Sequence, residues 1–504
     1  MRGNDRKGGE RKGNTHTRKH TRKPSGPRQL TFWADLFPVV AEKDCRMAAG
    51  YRNDSSLSNA GSNGNYWSSS LNTSNANNAR NLNFNSSNHN TNNNNRYNGQ
   101  SVRPVTVLTR TQLLADLYHS YLDARKHKRC KGYQLDFEMN LEHNLCLLAD
   151  ELLTRTYRPG RSMVFIVHEP KQREVFAASF RDRVVHHLYY RYTHELFEST
   201  FIHDSYSCIK GRGTHFGVNR LEHHIRQESE NYKVLCFVLK MDIEGYFINI
   251  DRHRLLDICL KTLRRMYSRK PVGRNTTWGE IMDCEMVEWL TEVFVMHNPI
   301  SDFSFISPMS EWEGLPTNKS LFYSRSNCGL PIGNLTSQLF SNIYLNRLDQ
   351  FMKREMHCRH YGRYVDDFYV VSTSREWLEG LIPKVRKFLR DDLGLELHSK
   401  KISMLRVESG VEFLGQFLKP YRRYPSKRSF TRIEQGMECI SQHEWYDEQK
   451  LLSQINSYLG ILRHTRSHRR WLHVLQKHPW VYRFGTFDEG FSKFKLSDQT
   501  NFPK

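Results

Sequence analysis

Residues Tyr361–Ser372 read YGRYVDDFYVVS, and the two adjacent acids set between aromatic and β-branched runs narrow what this chain can fold into. Both flanking runs have strand composition, so the segment reads as a hairpin with Asp366 and Asp367 at its turn. Like charges side by side repel unless something positive lies between them, and a hard divalent cation such as Mg²⁺ prefers carboxylate oxygen. A plain solvated turn can also carry two acids, so the meaning of this pair depends on what else the chain supplies.

It supplies a third acid upstream. Val234–Met241 is a nearly unbroken apolar run, as expected of a buried central strand, and Asp242 stands at its end with Phe247 five residues on. Between this strand and the hairpin, CGLPIGNLTSQLFSNIYLNRLDQFM (Cys328–Met352) opens as a Gly/Pro turn and continues as a helix through Ile343, Leu345 and Leu348. Gly333 in that turn would let a base or sugar lie against the backbone. Three carboxylates converging on two Mg²⁺ ions is what nucleotidyl transfer needs. One ion activates a primer 3′-hydroxyl, and the other holds the triphosphate and the leaving pyrophosphate. Asp242 and Asp366 are assigned as the metal ligands, and Asp367 as the less directly engaged third acid.

Charge agrees with a polyanionic partner. The net charge is +22. Residues 1–30 hold ten Lys and Arg against two acids, and residues 31–105 hold six against four, leaving +12 on residues 106–504. The excess therefore belongs to the folding part as well as to the tail, which favours nucleic acid. The ten cysteines show no CxxC pair or zinc spacing, which suits a reducing cytoplasm. The start lacks an apolar signal region, and no apolar run is long enough for a membrane span.

Residues 1–30 are basic and almost without apolar groups, a composition expected to stay disordered. From Asn59 to Asn98, 17 of 40 residues are Asn; such runs favour turns, and a segment so short of large apolar groups is not expected to fold alone. From Thr109 the pattern becomes globular, with helices at Thr109–Lys128, Leu141–Leu153 and Phe180–Glu198, and a strand at Val164–Val167. Lys171 and Arg173 sit beside a second strand-like run. SYSCIKGRGTH (Ser205–His215) is a basic Gly turn suited to a phosphate or template strand. Residues 251–268 read as a helix, and 269–326 as an irregular insertion with no evident role. After the hairpin come a helix at Glu376–Asp392, then LGLELHSKKISM with Lys400 and Lys401, then VEFLGQFL (Val411–Leu418) as a strand with a Gly break. Ile455–Leu475 reads as one basic amphipathic helix suited to a duplex backbone.

In this order and spacing, Asp242 with Phe247, GLPIGNLTSQ, YVDD, the Lys after LGLEL and FLG at Phe413–Gly415 resemble the motifs of reverse transcriptases, over about residues 106–475. Ile332-Gly333 followed by Ser337-Gln338 resembles the variant found in diversity-generating retroelements, where intron-type relatives carry Gln before that Gly and Pro after the Ser. The Asn-rich stretch, with NYWSSS, NLNFN and a SVRPV end, resembles a translated template repeat of a C-type-lectin-like variable protein. Asn codons begin with two adenines, so randomising adenines there reaches many residues and no stop.

The resemblance implies an α+β right-hand polymerase with fingers, an antiparallel palm sheet with helices on one face, and a helical thumb. The expected divisions are a disordered segment at 1–45, a template-repeat-like segment at 46–105, a reverse transcriptase domain at 106–425 (fingers 106–231, palm 232–425), and thumb with C-terminal region at 426–504. It further implies that Arg173 contacts the incoming triphosphate and that Phe247 stacks on the sugar and excludes a 2′-hydroxyl. By the same resemblance Gln338 would lie near the templating base, Lys401 or Lys400 would protonate pyrophosphate, and Phe413, Leu414 and Gly415 would hold the primer end. Implied partners are template RNA, a cDNA or primer strand, dNTPs and a small basic oligomeric accessory protein. The working enzyme is expected to begin near Val105–Arg110. The rival readings are a defence-type or intron-encoded reverse transcriptase, an RNA-dependent RNA polymerase, which Phe247 opposes, and a lectin-like binding protein with a decayed polymerase, which the intact acids oppose.

Overall fold

A computed structural model describes residues 109–126, 131–168, 171–441 and 447–497, together with the backbone of six short strands between residues 51 and 100. Residues 1–104 and 105–504 form separate units. In the first, Gly64–Leu71, Asn78–Phe84 and His89–Asn95 pair as an antiparallel meander, where the Asn content had suggested turns; ladder pairing is made by the backbone and tolerates many side chains. The expectation of disorder at 1–45 and the template-repeat reading of side chains in 46–105 lie outside the described residues.

In the second unit, α1 (Arg110–Arg125) opens on a capping box between Thr109 and Gln112, which satisfies two otherwise orphan amides. It is followed by α2 (Leu141–Leu153). Strands β1 (Ser162–Val167) and β2 (Arg173–Ala177) form an antiparallel hairpin. Helix α3 spans Phe180–Glu198, and α4 spans Thr214–Glu228. Next come β3 (Phe237–Asp242), α5 (Arg252–Tyr267) and α6 (Cys284–Met296). The short β4 (Phe303–Phe305) joins β1 in parallel. Then follow α7 (Leu335–Gln350), β5 (Tyr361–Tyr364), β6 (Asp367–Ser372), α8 (Arg375–Phe388) and β7 (Ser403–Arg406).

The central sheet has the order β5-β6-β3-β7 and is antiparallel throughout. Side chains alternate across it. Phe237, Leu239 and Met241 of β3 enter the main core, shared with α3, α5, α7 and α8. Val238, with Tyr369 and Val371 of β6, faces a second core made by α4 and by a small sheet of β8 (Val411–Phe413), β9 (Gln416–Lys419) and β10 (Arg422–Pro425). Both faces are thus anchored by side chains each stabilising by roughly 1.5–3 kcal/mol when fully buried. The strand starts at Phe237 rather than Val234, since Val234 and Leu235 are 39% and 47% exposed.

Beyond β10, α9 (Lys427–Ser441), α10 (Glu448–Leu462) and α11 (His468–Lys477) have a core of their own around Ile433, Ile455, Leu459 and Trp471. They are followed by a hairpin of β11 (Gly485–Phe487) and β12 (Phe494–Leu496). The reading of Ile455–Leu475 as one helix is corrected. The hydroxyls of Thr465 and Ser467 both donate to the Leu462 carbonyl, at 2.9 and 3.1 Å, and such local bonds compete with the helical ladder. Val411–Leu418 is likewise a hairpin rather than one interrupted strand, because Leu414 and Gly415 take φ values of 47° and 81° and so close a tight two-residue turn. Among the described residues no helix is long and apolar enough to cross a membrane.

Candidate active site

The sheet register brings the acids together. Asp242, last residue of β3, lies directly across from Asp367, first residue of β6. Directly opposed residues in an antiparallel pair share a face. Asp366 sits in the two-residue turn between Tyr364 and Asp367. The other occupant of that turn, Val365, has φ 55°, an uncommon conformation for a β-branched residue that must be held by its surroundings.

What holds it is a buried polar network. The guanidinium of Arg363 and the carboxylate of Asp349 are both fully buried. Arg363 donates from Nε to Asp349 Oδ1 at 2.8 Å and from Nη2 to Oδ2 at 2.7 Å. Its Nη1 donates to the Val365 carbonyl at 3.0 Å and its Nη2 to Ser205 Oγ at 3.2 Å. The Val365 amide in turn donates to Ser207 Oγ at 3.2 Å. Residues Asp204–Tyr206 run along β5 through backbone bonds to Arg363. The SYSC stretch, expected as part of a phosphate or template turn, therefore buttresses the acidic hairpin at its start. The sequence reading missed Arg363, Asp349 and Ser207. The available signal was Arg363 itself, a charge two residues from Tyr361 in a short strand flanked by buried positions, where a charge needs a buried partner.

Burial raises the pKa of Asp366 to about 6, with the Asp242 charge the next contributor. Asp367 is also raised to about 6, mainly by burial; Lys240 opposes this, while Asp242 and Asp366 add to it. Lys401 Nζ lies 2.8 Å from Asp242 Oδ1. It is brought there because the Leu397 backbone pairs with Ile243 and His398 donates its amide to the Asp242 carbonyl. Arg173, exposed at the head of β2, contributes to the field at Asp366.

Other expected residues lie around this centre. Phe247 is on the short helix Tyr246–Asn249 just after β3, edge-on to Tyr246. Gln338 is exposed on the first turn of α7, while Ser337 is buried. Gly333 has φ 126°, and a Cβ there would come within 2.8 Å of Val175 Cγ1 and 3.0 Å of the Phe176 carbonyl, so β2 itself demands the glycine. Phe413 is buried against Tyr369 and beneath Lys240. Gly415 at the adjoining turn accepts from the Ser426 amide and from Ser429 Oγ.

Among the described residues no three His, Cys, Asp or Glu side chains form a ready-made metal cage. Magnesium is commonly held by one or two carboxylates with substrate phosphates and water completing the set. Three half-buried acids whose mutual charge and burial raise two pKa values are a donor set of that kind.

An antiparallel palm sheet with acids at one strand end and in the adjoining hairpin, followed by a helical thumb, defines a right-hand polymerase fold. Residues 169–418 match the family model described as reverse transcriptase (RNA-dependent DNA polymerase), and the chain thus carries a reverse transcriptase domain. It is 24% identical over 336 residues to Protein YkfC of Escherichia coli (strain K12), covering 59% of this chain and 77% of that one. Among solved structures, apo telomerase of Candida tropicalis truncated from its C-terminal domain aligns with TM-score 0.38 and 11% identity, over 53% of this chain. Apo telomerase of Candida tropicalis aligns with TM-score 0.39 and 11% identity, over 65% of this chain. The chain spans 55% and 61% of the lengths of these two telomerase chains.

Proposed function

We propose that this protein is an RNA-directed DNA polymerase that copies a template-repeat RNA into cDNA with errors at adenines, for diversification of a variable protein gene. The observation that carries the polymerase reading is the register that sets Asp242 across from Asp367 with Asp366 in the turn between β5 and β6. Two Mg²⁺ ions held by Asp242 and Asp366, with Asp367 beside them, would activate the primer hydroxyl and balance triphosphate charge. Arg173 binds the triphosphate, Lys401 supplies a proton to pyrophosphate once it leaves Asp242, and Phe247 stacks on the sugar. Gly333 sets the turn that leads into α7, Gln338 lies near the templating base, and the turn at Phe413–Gly415 holds the primer end. A small basic oligomeric partner and a cytoplasmic location complete the reading.

The diversification role is supported by Ile332-Gly333 with Ser337-Gln338 and by the Asn-rich stretch at Asn59–Asn98. The test is primer extension on an RNA template with Mg²⁺ and dNTPs, followed by sequencing of the products. Misincorporation concentrated opposite adenine is expected. Errors spread evenly over the four template bases would favour a defence-type or intron-encoded enzyme instead, and no extension on any primed template would remove the polymerase reading. In the same assay Phe247→Ala should narrow the preference for dNTPs over NTPs by about tenfold to a hundredfold, since a steric block to a hydroxyl is lost. Unchanged discrimination would show that the ring serves only packing.

A further inference from the structure

Residues 269–326, which carry no motif, are fastened to the part of the molecule where a triphosphate would lie. The carboxylate of Glu174, itself only 3% exposed, accepts from Trp312 Nε1 at 2.8 Å, from Ser320 Oγ at 2.9 Å and from the Leu321 amide at 2.7 Å. Gln172 Nε2 donates to the carbonyls of Glu311 and Glu313 at 2.7 and 3.0 Å. The same segment adds β4 to the edge of β1. Its Asn318 carbonyl comes within 3.1 Å of where a Cβ on Gly245 would sit, in the turn that follows Asp242. The two β2-side residues that clamp this segment, Gln172 and Glu174, alternate with Lys171 and Arg173.

Lys319 is thereby set between the β1–β2 hairpin and the turn after β3. It is exposed, and its ammonium makes no ion pair or hydrogen bond among the described residues. Lys171, Arg173 and Arg428, the last from the first turn of α9, are equally exposed and unpaired there. The Lys171 ammonium, exposed but partly desolvated, is pushed below its ordinary range first by that desolvation and then by Arg428, Lys401, Lys319 and Arg173. These five cations, drawn from four separate stretches of chain, therefore gather around Lys171. Such a gathering is unfavourable unless an anion joins it, and it adjoins the acids, since Lys401 Nζ lies 2.8 Å from Asp242 Oδ1.

We infer that Lys319 of the insertion binds the phosphates of the incoming deoxynucleoside triphosphate, together with Lys171, Arg173 and Arg428. The inference rests on the polymerase reading and extends the triphosphate site to a segment that carries no family motif. A nucleic-acid backbone is the lesser fit, because its phosphates would run along a groove rather than meet beside the carboxylates.

The full-length enzyme is tested by single-nucleotide extension of a DNA primer on an RNA template. Lys319→Ala should raise the KM for dNTP about tenfold, the scale of one lost charge-assisted contact, with kcat and primer–template affinity nearly unchanged. Inhibition by inorganic pyrophosphate should weaken by a similar factor, a shift that a purely structural lysine would not give, and Lys319→Arg should restore both. An unaltered KM would overturn the inference, as would a loss of primer–template affinity matching the rise in KM. Failure of the unmodified enzyme to extend any primer would instead overturn the polymerase reading, and this inference with it.

Discussion

Asp242→Asn and Asp366→Asn should each lower kcat/KM for nucleotide addition by at least about a thousandfold, which corresponds to roughly 4 kcal/mol of transition-state stabilisation, while the protein stays folded. Stability should move the other way for Asp366→Asn. Its folded-state pKa of about 6 lies above the ordinary carboxylate value, so the folded protein holds a proton more tightly than the unfolded chain does. The stability linked to that proton is fully present below the ordinary value near 4 and is lost as the pH rises through 6. Above that, the charged carboxylate is a liability in the metal-free protein, and each pKa unit is worth about 1.4 kcal/mol. In chelator at pH 7.5, Asp366→Asn should therefore melt above the unmodified protein by an amount that shrinks as the pH is brought to 5. Taking the difference between the two proteins cancels the histidines that titrate in the same range. Thermal melts with and without chelator, beside a primer-extension assay, check both halves. Persistent incorporation by Asp242→Asn would remove the polymerase reading, and a lowered melting temperature for Asp366→Asn at pH 7.5 would remove the electrostatic account.

The second large effect concerns the pair behind the hairpin. Arg363→Met leaves the Asp349 carboxylate buried without its charge partner, with only the Tyr361 hydroxyl still donating to it, a change expected to cost about 3–5 kcal/mol in urea unfolding. Arg363→Lys should rescue little, because one ammonium cannot reproduce the two-pronged contact to Asp349 while also reaching Val365 and Ser205. The double replacement Arg363→Met with Asp349→Leu should recover most of the stability, since no lone charge remains. It should still extend primers poorly, because the Val365 carbonyl has lost its donor and the turn bearing Asp366 has lost its brace. Recovery of activity along with stability would make the pair a folding element only. A double variant no more stable than Arg363→Met would contradict the burial argument.

These effects divide along the line between what sequence pattern carries and what it does not. Asp242 at a strand end, Asp366 and Asp367 at a hairpin turn, and the helix Phe180–Glu198 were legible because they depend on local composition and periodicity; the helix was read with the same bounds as the structure gives it. The break at Leu462 was not legible, because two hydroxyls with ordinary propensities decide it. The function of 269–326 in the fold was hidden for a different reason. One of its fixing points is the buried carboxylate of Glu174, whose partners lie more than a hundred positions along the chain, and no window of residues reports such a contact. Arg363 is the intermediate case: its identity was visible, but its partner Asp349 sits on the far end of a helix whose own pattern looked complete.

The Gly415 carbonyl takes hydrogen bonds from both the Ser426 amide and Ser429 Oγ, so the tip of the β8–β9 hairpin is tied to the root of α9. A swing of α9 about its base would carry that tip along. On the proposed primer-holding role of that turn, loosening hold on a product duplex and shifting the strand terminus by one position would be a single mechanical event, governed by one joint.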